Sequence, residues 1–301
     1  MSAALYCGLK RAGLLYDVSI AAGFSAQLSY FNAFLQDEPW FRALPVELRC
    51  RYALCLSMNC VKFSLAAQCF RWSQNLEAFS VAASFILAGC ILDDMIDNED
   101  SEVRQLALRK LNWGYCSDYF IWFQPMREVH VIDQLYSFIG AFLEKKRCCN
   151  PEAYEYFLAL LKRAVIAECG SNDRVNQTLA TDKSTLFTVL GFLLALYGNH
   201  TPEELSAFYL AGDLFRRMDD LCDFESDRDT GHVNSLRLED GVDEVELVEK
   251  ELRSISSGLG RLEGLTDSSF GLFIRYELQS WTLSNPYLYQ KTIEVPKCQT
   301  L

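Results

Sequence analysis

Two short acidic stretches, residues 93–100 and 219–227, contain carboxylates at spacings that could do chemistry. Read as helices, both stretches place three carboxylates on one face, at i, i+4 and i+7 in the first and at i, i+4 and i+8 in the second. Like charges one turn apart repel each other, so each column requires a positive counterion. Carboxylate oxygens suit Mg²⁺, which proteins usually hold with a few carboxylates, waters and phosphate oxygens. The columns comprise Asp93, Asp97 and Asp100 in the first stretch, and Asp219, Asp223 and Asp227 in the second.

The residues that precede both acidic stretches favour a site over a solvated acidic surface. The first stretch ends a nearly all-apolar segment, residues 76–92, and the second follows an apolar stripe formed by Leu210, Leu214, Met218 and Leu221. A helix that is apolar on every side belongs in the centre of a bundle. If the two helices face each other there, their carboxylates can hold Mg²⁺ ions and a diphosphate that completes the metal shells. The apolar interior below would then suit a hydrocarbon chain.

Helix signals predict an all-α chain that forms a single domain over residues 1–301, with a tail from about 285. No stretch alternates as a half-buried strand would, and the seven prolines stand at predicted helix edges. Helix caps are predicted at Ser73, at Asn150 before Pro151, and at Thr201, which opens a capping box. The predicted helices, roughly ten in number, cover 1–36, 46–70, 76–92, 101–147 with a break at 124–125, 150–169, 183–197, the segment from 201 through the second acidic stretch, 240–260 and 270–281.

Charge and composition exclude several classes of function. A net charge of −12 argues against binding nucleic acid or an anionic membrane surface, because both need clustered Lys and Arg. The longest apolar runs, residues 79–92 and 186–197, are shorter than the roughly 20 residues that a membrane span needs. The twelve cysteines contain no Cys-x-x-Cys pair and are interpreted as small core residues of a reduced protein. The sequence therefore predicts a cytoplasmic location, with no signal peptide and no membrane span.

The acidic stretches resemble the metal-binding motifs of class I isoprenoid synthases, the superfamily of trans-prenyltransferases and terpene cyclases. Asp93-Asp-Met-Ile-Asp97 matches its DDxxD motif. Asp219-Asp-Leu-Cys-Asp-Phe-Glu-Ser-Asp227 with Gly231 resembles the second prenyltransferase motif, DDxxDxxxDxxxG, and also the cyclase motif (N/D)DxxSxxxE. Lys183-Ser-Thr-Leu-Phe187 is similar to the Lys-Thr-x-x-Phe segment before the second motif of prenyltransferases.

This resemblance implies the helical bundle of the terpenoid synthase type and an allylic isoprenyl diphosphate as substrate. It implies three Mg²⁺ ions, for which Mn²⁺ can substitute, and it leaves a homodimer open as the assembly. The implied metal ligands are Asp93, Asp94, Asp97, Asp219, Asp223 and Asp227. The implied diphosphate-binding residues are Arg174, Lys183, Arg216, Arg228, Arg275 and Tyr276. The aromatic residues considered for the hydrocarbon pocket are Phe79, Phe85, Phe187, Phe192, Phe208 and Phe215.

Departures from the prenyltransferase pattern favour a terpene synthase, which ionises one allylic diphosphate and cyclises the carbocation. The paired arginines after the first motif are reduced to Arg104, and residues 44–51 lack the basic segment that binds isopentenyl diphosphate. Arg216 stands in place of a glutamine and His232 in place of a lysine, while Arg51 and Lys62 could supply basic groups instead. The alternatives are a trans-prenyltransferase that elongates an allylic diphosphate and an inactive partner subunit with the same fold.

Overall fold

A computed structural model describes residues 8–96, 102–107, 127–170, 177–196, 199–230, 234, 236 and 244–284. Within these ranges all regular structure is helical, which confirms the predicted all-α class. The predicted single domain over 1–301 stays a prediction, and its tail at 285–301 lies outside the described residues. One hydrophobic cluster of buried residues includes members of each of the helices named below.

A short helical segment at residues 8–11 is followed by ten further helices in the predicted order. They are α1 (Val18–Asp37), α2 (Pro39–Ala43), α3 (Val46–Cys69), α4 (Leu76–Ile96), α5 (Arg127–Cys149), α6 (Pro151–Gly170), α7 (Gln177–Ala195), α8 (Pro202–Thr230), α9 (Glu244–Leu265) and α10 (Ser268–Ser284). Residues 102–107 are also helical, whereas the predicted break at 124–125 lies outside the described residues. The side chains of residues 177–184, 225–226 and 228–230 are likewise outside the description.

Side-chain caps fix the starts of several helices, among them α4, α6 and α8. The Thr201 hydroxyl accepts from the Glu204 amide at 3.2 Å and the Glu204 carboxylate accepts from the Thr201 amide at 2.6 Å, which confirms the capping box. Asn150 caps α6 by accepting from the Ala153 amide at 3.2 Å, as predicted. The cap predicted at Ser73 is wrong, because Asn75 accepts from the Ala78 amide at 3.1 Å. Asn75 stands directly before Leu76, the first residue of α4, which is the position a cap requires.

Helix α7 packs between α4, α6 and α8 and is fully buried from Val189 to Leu196. It approaches α8 closely at Gly212, where a Cβ atom would lie 2.7 Å from the Thr185 carbonyl oxygen. It approaches α4 at Gly89, where the Phe187 ring occupies the space that a Cβ would need. Small residues therefore set the spacing of the three helices that contain the predicted motifs.

Stacked aromatic rings join α3, α7, α8 and α10 at the amino-terminal end of α8. The Phe192 and Phe208 rings stack with centroids 4.6 Å apart, and Phe70 and Phe270 pack edge-on against this pair. The Trp72 indole also donates to Glu204 at 2.6 Å, which ties the end of α3 to the start of α8. Aromatic pairs of this geometry add about 1 kcal/mol each beyond burial of their area. This end of the bundle is a closed aromatic core.

Among the described residues, α4 is the one helix long and apolar enough to cross a membrane, with a mean hydropathy of 1.8. It reaches Ile96 rather than ending at residue 92, so shortness is not what distinguishes it from a span. Burial distinguishes α4 from a membrane span, because 78% of its most apolar stretch is buried inside the protein. This enclosure is typical of the central helix of a bundle.

We expect Gly212→Ala to destabilise the protein by about 1–3 kcal/mol, because the added methyl group meets backbone atoms of α7 that cannot rotate away. Gly260→Ala is the matched control: Gly260 is exposed in α9, and no atom lies within 4 Å of its added Cβ. That change should stabilise α9 by up to about 1 kcal/mol. Urea unfolding of both variants measures the difference, and equal effects would contradict the close approach at Gly212.

Candidate functional site

The central helices become accessible at one end. Helix α4 is buried from Ala78 to Ala88, but the positions that follow on one side are exposed or half-exposed. The same change occurs near the start of α7 and in the second half of α8. The accessible positions on α4, α7 and α8, which we call the acidic opening, are Gly89, Cys90, Asp93 and Asp94, then Thr185, Phe187 and Thr188, and then Asp219, Cys222 and Asp223.

Contacts with α3 show that the two acidic stretches lie at the same end of the bundle. Tyr52 of α3 contacts Asp94 of α4, and further along α3 Cys55 contacts Cys90, so α3 and α4 are antiparallel. Helices α3 and α8 are also antiparallel, because Lys62 lies on Phe215 and the later Phe70 packs on the earlier Phe208. Helices α4 and α8 are therefore parallel, and their acidic carboxyl-terminal parts point the same way.

Asp94 is held by two side chains of α3. Arg51 Nη2 donates to Asp94 Oδ1 at 2.9 Å, and the Tyr52 hydroxyl donates to Asp94 Oδ2. Burial is the first cause of the raised pKa of Tyr52, and the hydrogen bond to Asp94 and its negative charge are the next two. Tyr52 therefore stays a neutral donor that fixes one carboxylate of the first motif, while the Arg51 side chain remains 60% exposed at the opening.

Two arginines organise the acidic residues on the buried side of α8. The Arg216 guanidinium donates to Asp220 at 2.6 Å and to Asp213 at 2.9 Å, and Arg217 donates to Asp213 at 2.7 Å and to Glu251 of α9 at 2.7 Å. Burial acts to raise the pKa of Asp213, but the hydrogen bonds from Arg217 and Arg216 outweigh it and lower that pKa. Arg216 is only 5% exposed, so in this structure it neutralises acids of its own helix.

Asn234 holds the last carboxylate of the second column. Its side-chain amide donates to Asp227 Oδ2 at 2.9 Å and to the Asp220 carbonyl at 2.7 Å, and its oxygen accepts from the Leu236 amide at 2.8 Å. Asn234 is 7% exposed, so these bonds are shielded from water. Asn234 therefore packs against α8 and orients Asp227.

The carboxylates produce a negative field at both walls of the opening. On α8 the pKa of Cys222 is raised by burial first and then by the charges of Asp223 and Asp219. On α4 the pKa of Cys90 is raised by its hydrogen bond to Cys55 and by burial, with Asp93 and Asp94 adding to the shift. A field that disfavours further negative charge is one that attracts cations.

The donor types fit Mg²⁺, but the described carboxylates do not form a closed metal cage. Among the described residues, no three Asp, Glu, His or Cys side chains converge as metal ligands. Asp93, Asp219 and Asp223 are exposed, and Asp227 is half-buried. Such open carboxylates suit Mg²⁺, which keeps several waters and takes phosphate oxygens as further ligands. Asp97 lies outside the described residues.

The structure places two of the predicted diphosphate-binding residues away from the opening. Arg275 donates to Glu263 of α9 at 2.6 Å and to the Ala12 carbonyl at 3.4 Å, at the contact with the N-terminal segment. Tyr276 is 8% exposed and packs with Phe24 of α1. Lys183 lies in α7 and Arg228 in α8, but neither side chain is described, and Arg174 lies outside the described residues.

A buried ion pair lies deeper between α3, α8 and α10. Lys62 Nζ is 3.0 and 3.2 Å from the two carboxylate oxygens of Glu277, and both side chains are 6% exposed. The ammonium also lies 4.2 Å from the centroid of the Phe215 ring. Lys62 is therefore part of the interior and not of the acidic opening, whereas Arg51 does reach the opening.

The aromatic candidates for a hydrocarbon pocket divide into two groups. Phe79, Phe192 and Phe208 are completely buried and belong to the closed core. The Phe187 ring is half-exposed, lies over Gly89 one turn before Asp93, and packs on Phe85 at 5.0 Å. Among these candidates, Phe187 and Phe85 thus lie nearest to Asp93.

Sequence reasoning missed the polar face of α3. Tyr52, Cys55, Asn59 and Lys62 repeat at i, i+3, i+7 and i+10, so they share one side of the helix. Apart from these positions and two serines, residues 56–67 are apolar. That spacing was a usable signal, because buried polar groups in a row need partners. Glu277 carried no comparable signal, since its partner Lys62 is distant in sequence. Asn234, seven residues after Asp227, was also missed.

The interpretation of the cysteines as core residues is correct for Cys60, which is buried. It is wrong for Cys50, Cys148 and Cys149, which are exposed. A cysteine on the outward face of a surface helix is accessible whatever its apolar character, and the sequence pattern alone did not separate these faces.

An open groove of about 470 Å³ lies elsewhere, on the outer face between α1 and α3. Gln27, Gln68 and Gln74 provide its polar groups, and none of the predicted metal ligands borders it. The acidic residues lie at the acidic opening and not at this groove, so the opening is the candidate site.

Comparison of the chain with known protein families and with curated proteins finds no match.

We expect Lys62→Met to cost about 3–5 kcal/mol at neutral pH, because it leaves a buried carboxylate without its cation. Burial already raises the pKa of Glu277 from 4.5, and Lys62 opposes this shift. Without Lys62 the folded state holds the Glu277 proton more tightly than the unfolded state does. Stability is then retained at low pH and lost as the pH rises above 4.5 towards the folded pKa of Glu277.

Melting temperatures of Lys62→Met and of Lys62→Met/Glu277→Gln, measured across this pH range, test the assignment. The gap between the two variants should widen as the pH rises, because glutamine cannot ionise. A gap that does not change with pH would show that Glu277 is not the buried group responsible.

Proposed function

We propose that the chain is a class I terpene synthase, which ionises an allylic isoprenyl diphosphate with Mg²⁺ and cyclises the resulting carbocation. The observation that supports this function best is the parallel arrangement of α4 and α8. It directs two acidic segments, one from each helix, to the same end of a bundle with an aromatic interior. The terpenoid synthase form of the all-α bundle is part of this proposal.

The described residues that would bind Mg²⁺ are Asp93, Asp219 and Asp223, together with Asp94 and Asp227, which are held by their neighbours. When bound, Mg²⁺ would neutralise the diphosphate and stabilise it as a leaving group. Exposed carboxylates on two helices suit a site that is completed only when substrate supplies the remaining oxygens. The exposed Arg51 guanidinium, 2.9 Å from Asp94, supplies a positive group beside the same opening.

Phe187 and Phe85 would face the hydrocarbon part of the substrate. Their rings lie one and two turns below Asp93, and aromatic faces stabilise a nearby cation by about 1–2 kcal/mol. The tightly packed rings further along the bundle exclude water, which would otherwise capture the carbocation.

Chain elongation as a trans-prenyltransferase is the second candidate, and Arg51 is the observation that favours it. An elongating enzyme must hold a second diphosphate beside the first, which requires several basic groups. Lys62, the other candidate substitute, is occupied by Glu277 in the interior. Among the described side chains, Arg51 is exposed at the opening, and Arg104 donates to the Ile96 carbonyl at 2.8 Å at the end of α4. We favour the terpene synthase because the sequence lacks the basic segments with which prenyltransferases hold a second diphosphate. An inactive partner subunit remains the third alternative, and the assays below distinguish it.

We expect Mg²⁺ and inorganic diphosphate together to raise the melting temperature by more than the sum of their separate effects, because each completes the binding site of the other. Asp219→Asn should remove this extra stabilisation. Glu203→Gln is the control: it removes the same charge from the exposed first turn of α8, roughly 24 Å from Asp219 along the helix. Strictly additive shifts, or equal behaviour of both variants, would count against a shared site.

We expect the purified protein with Mg²⁺ to convert one of the C10, C15 or C20 allylic diphosphates into a hydrocarbon or an alcohol without isopentenyl diphosphate. Asp93→Ala and Asp219→Ala should abolish this conversion and leave the helical circular dichroism spectrum unchanged. A longer diphosphate that forms only with isopentenyl diphosphate would establish the prenyltransferase. No turnover of any substrate, combined with normal Mg²⁺–diphosphate binding, would favour the inactive subunit.

A further inference from the structure

Two cysteine side chains meet across the contact between α3 and α4. The antiparallel register that brings Tyr52 to Asp94 also brings Cys55 of α3 and Cys90 of α4 together one turn deeper, so that each thiol influences the pKa of the other. Both residues are half-buried. The contact lies one turn below the place where Tyr52 binds Asp94. The pair therefore sits just inside the acidic opening, on helices that the surrounding core holds together.

The surroundings of the two sulfur atoms differ in a way that gives them different reactivity. Asn59 Nδ2 lies 3.6 Å from Cys55 Sγ, and the Lys62 ammonium on the same face of α3 adds positive charge. The hydrogen bond from Cys90 is the main cause of the lowered pKa of Cys55, while burial and Glu277 oppose it. The same hydrogen bond, burial and the nearby carboxylates raise the pKa of Cys90. The Asn59 amide donor beside the Cys55 sulfur favours Cys55 as the thiolate that attacks first, with Cys90 reacting second as a thiol.

We propose that Cys55 and Cys90 are an oxidation site that forms a reversible disulfide between α3 and α4, with a hydroperoxide as the oxidant. The Cys55 thiolate attacks the peroxide, the O–O bond breaks, and after protonation the products are a Cys55 sulfenic acid and one molecule of water or alcohol. Cys90 then attacks the Cys55 sulfur, the S–S bond forms, and water leaves with the Cys90 proton. Two electrons pass from the thiols to the peroxide, and a dithiol reductant reverses the reaction.

The two helices that the disulfide would join are those that hold the first acidic segment. Helix α3 provides Arg51 and Tyr52, and α4 provides their partner Asp94. Oxidation would fix this wall of the opening, and reduction would release it. The proposal does not depend on terpene synthase activity, because it follows from the contact between the two thiols.

The test is treatment of the native protein with one equivalent of hydrogen peroxide, followed by mass spectrometry and peptide mapping. We expect the intact mass to fall by about 2 Da, a link between Cys55 and Cys90, and reversal by dithiothreitol. The cross-link should raise the melting temperature by about 4 °C or more. Cys60 lies in the same stretch between Arg51 and Lys62, so mapping in a Cys60→Ser background assigns the link without ambiguity.

Cys148→Ser/Cys149→Ser is the matched control, because it removes two exposed thiols far from the pair along the chain. This variant should form the disulfide as the unchanged protein does, whereas Cys55→Ser and Cys90→Ser should not. Oxidation of Cys50, Cys148 or Cys149 while Cys55 and Cys90 stay reduced would overturn the proposal. So would a link that forms only in denaturant.

Discussion

Crowded negative charge at one end of a buried helical bundle is the constraint on which the rest of the structure depends. Carboxylates one turn apart oppose helix formation, so the helices that bear them must gain their stability elsewhere. Helix α4 gains it from an unbroken buried run, Ala78–Ala88, and α8 from stacking of Phe208 on Phe192 at the opposite end. Apolar and aromatic packing thus stabilises the two helices whose charges oppose helix formation.

The chain itself supplies partners for several of these carboxylates. Arg216 and Arg217 bind the acids on the buried side of α8, Arg51 binds Asp94, and Asn234 provides neutral donors to Asp227. The carboxylates of Asp93, Asp219 and Asp223 face outward, and their field raises the pKa values of neighbouring thiols. Internal partners therefore orient Asp94 and Asp227, and the field of the exposed carboxylates is one that attracts divalent cations.

Local signals were readable from the sequence, and long-range partnerships were not. The capping box at Thr201 and the cap at Asn150 each join residues three positions apart, so both could be predicted from the local sequence. The apolar character of α4 likewise predicted its central place. Arg275 was predicted to bind diphosphate from its resemblance to a motif, but it faces Glu263 and the N-terminal segment. The rotation of α10 is set by packing, which the local sequence does not reveal. The pairing of Lys62 with Glu277 also depends on tertiary structure alone.

The Lys62–Glu277 pair limits where a carbocation could reside under the proposed reaction. Buried ion pairs seldom add net stability, and an apolar pair of similar volume often does as well or better. What this pair does provide is a fixed positive charge 4.2 Å from the Phe215 ring, which occupies that aromatic face. A substrate cation could not use this face of Phe215, because the Lys62 ammonium already covers it. The favourable region is therefore the surface of Phe187 and Phe85, directly below the carboxylates that would receive the leaving diphosphate.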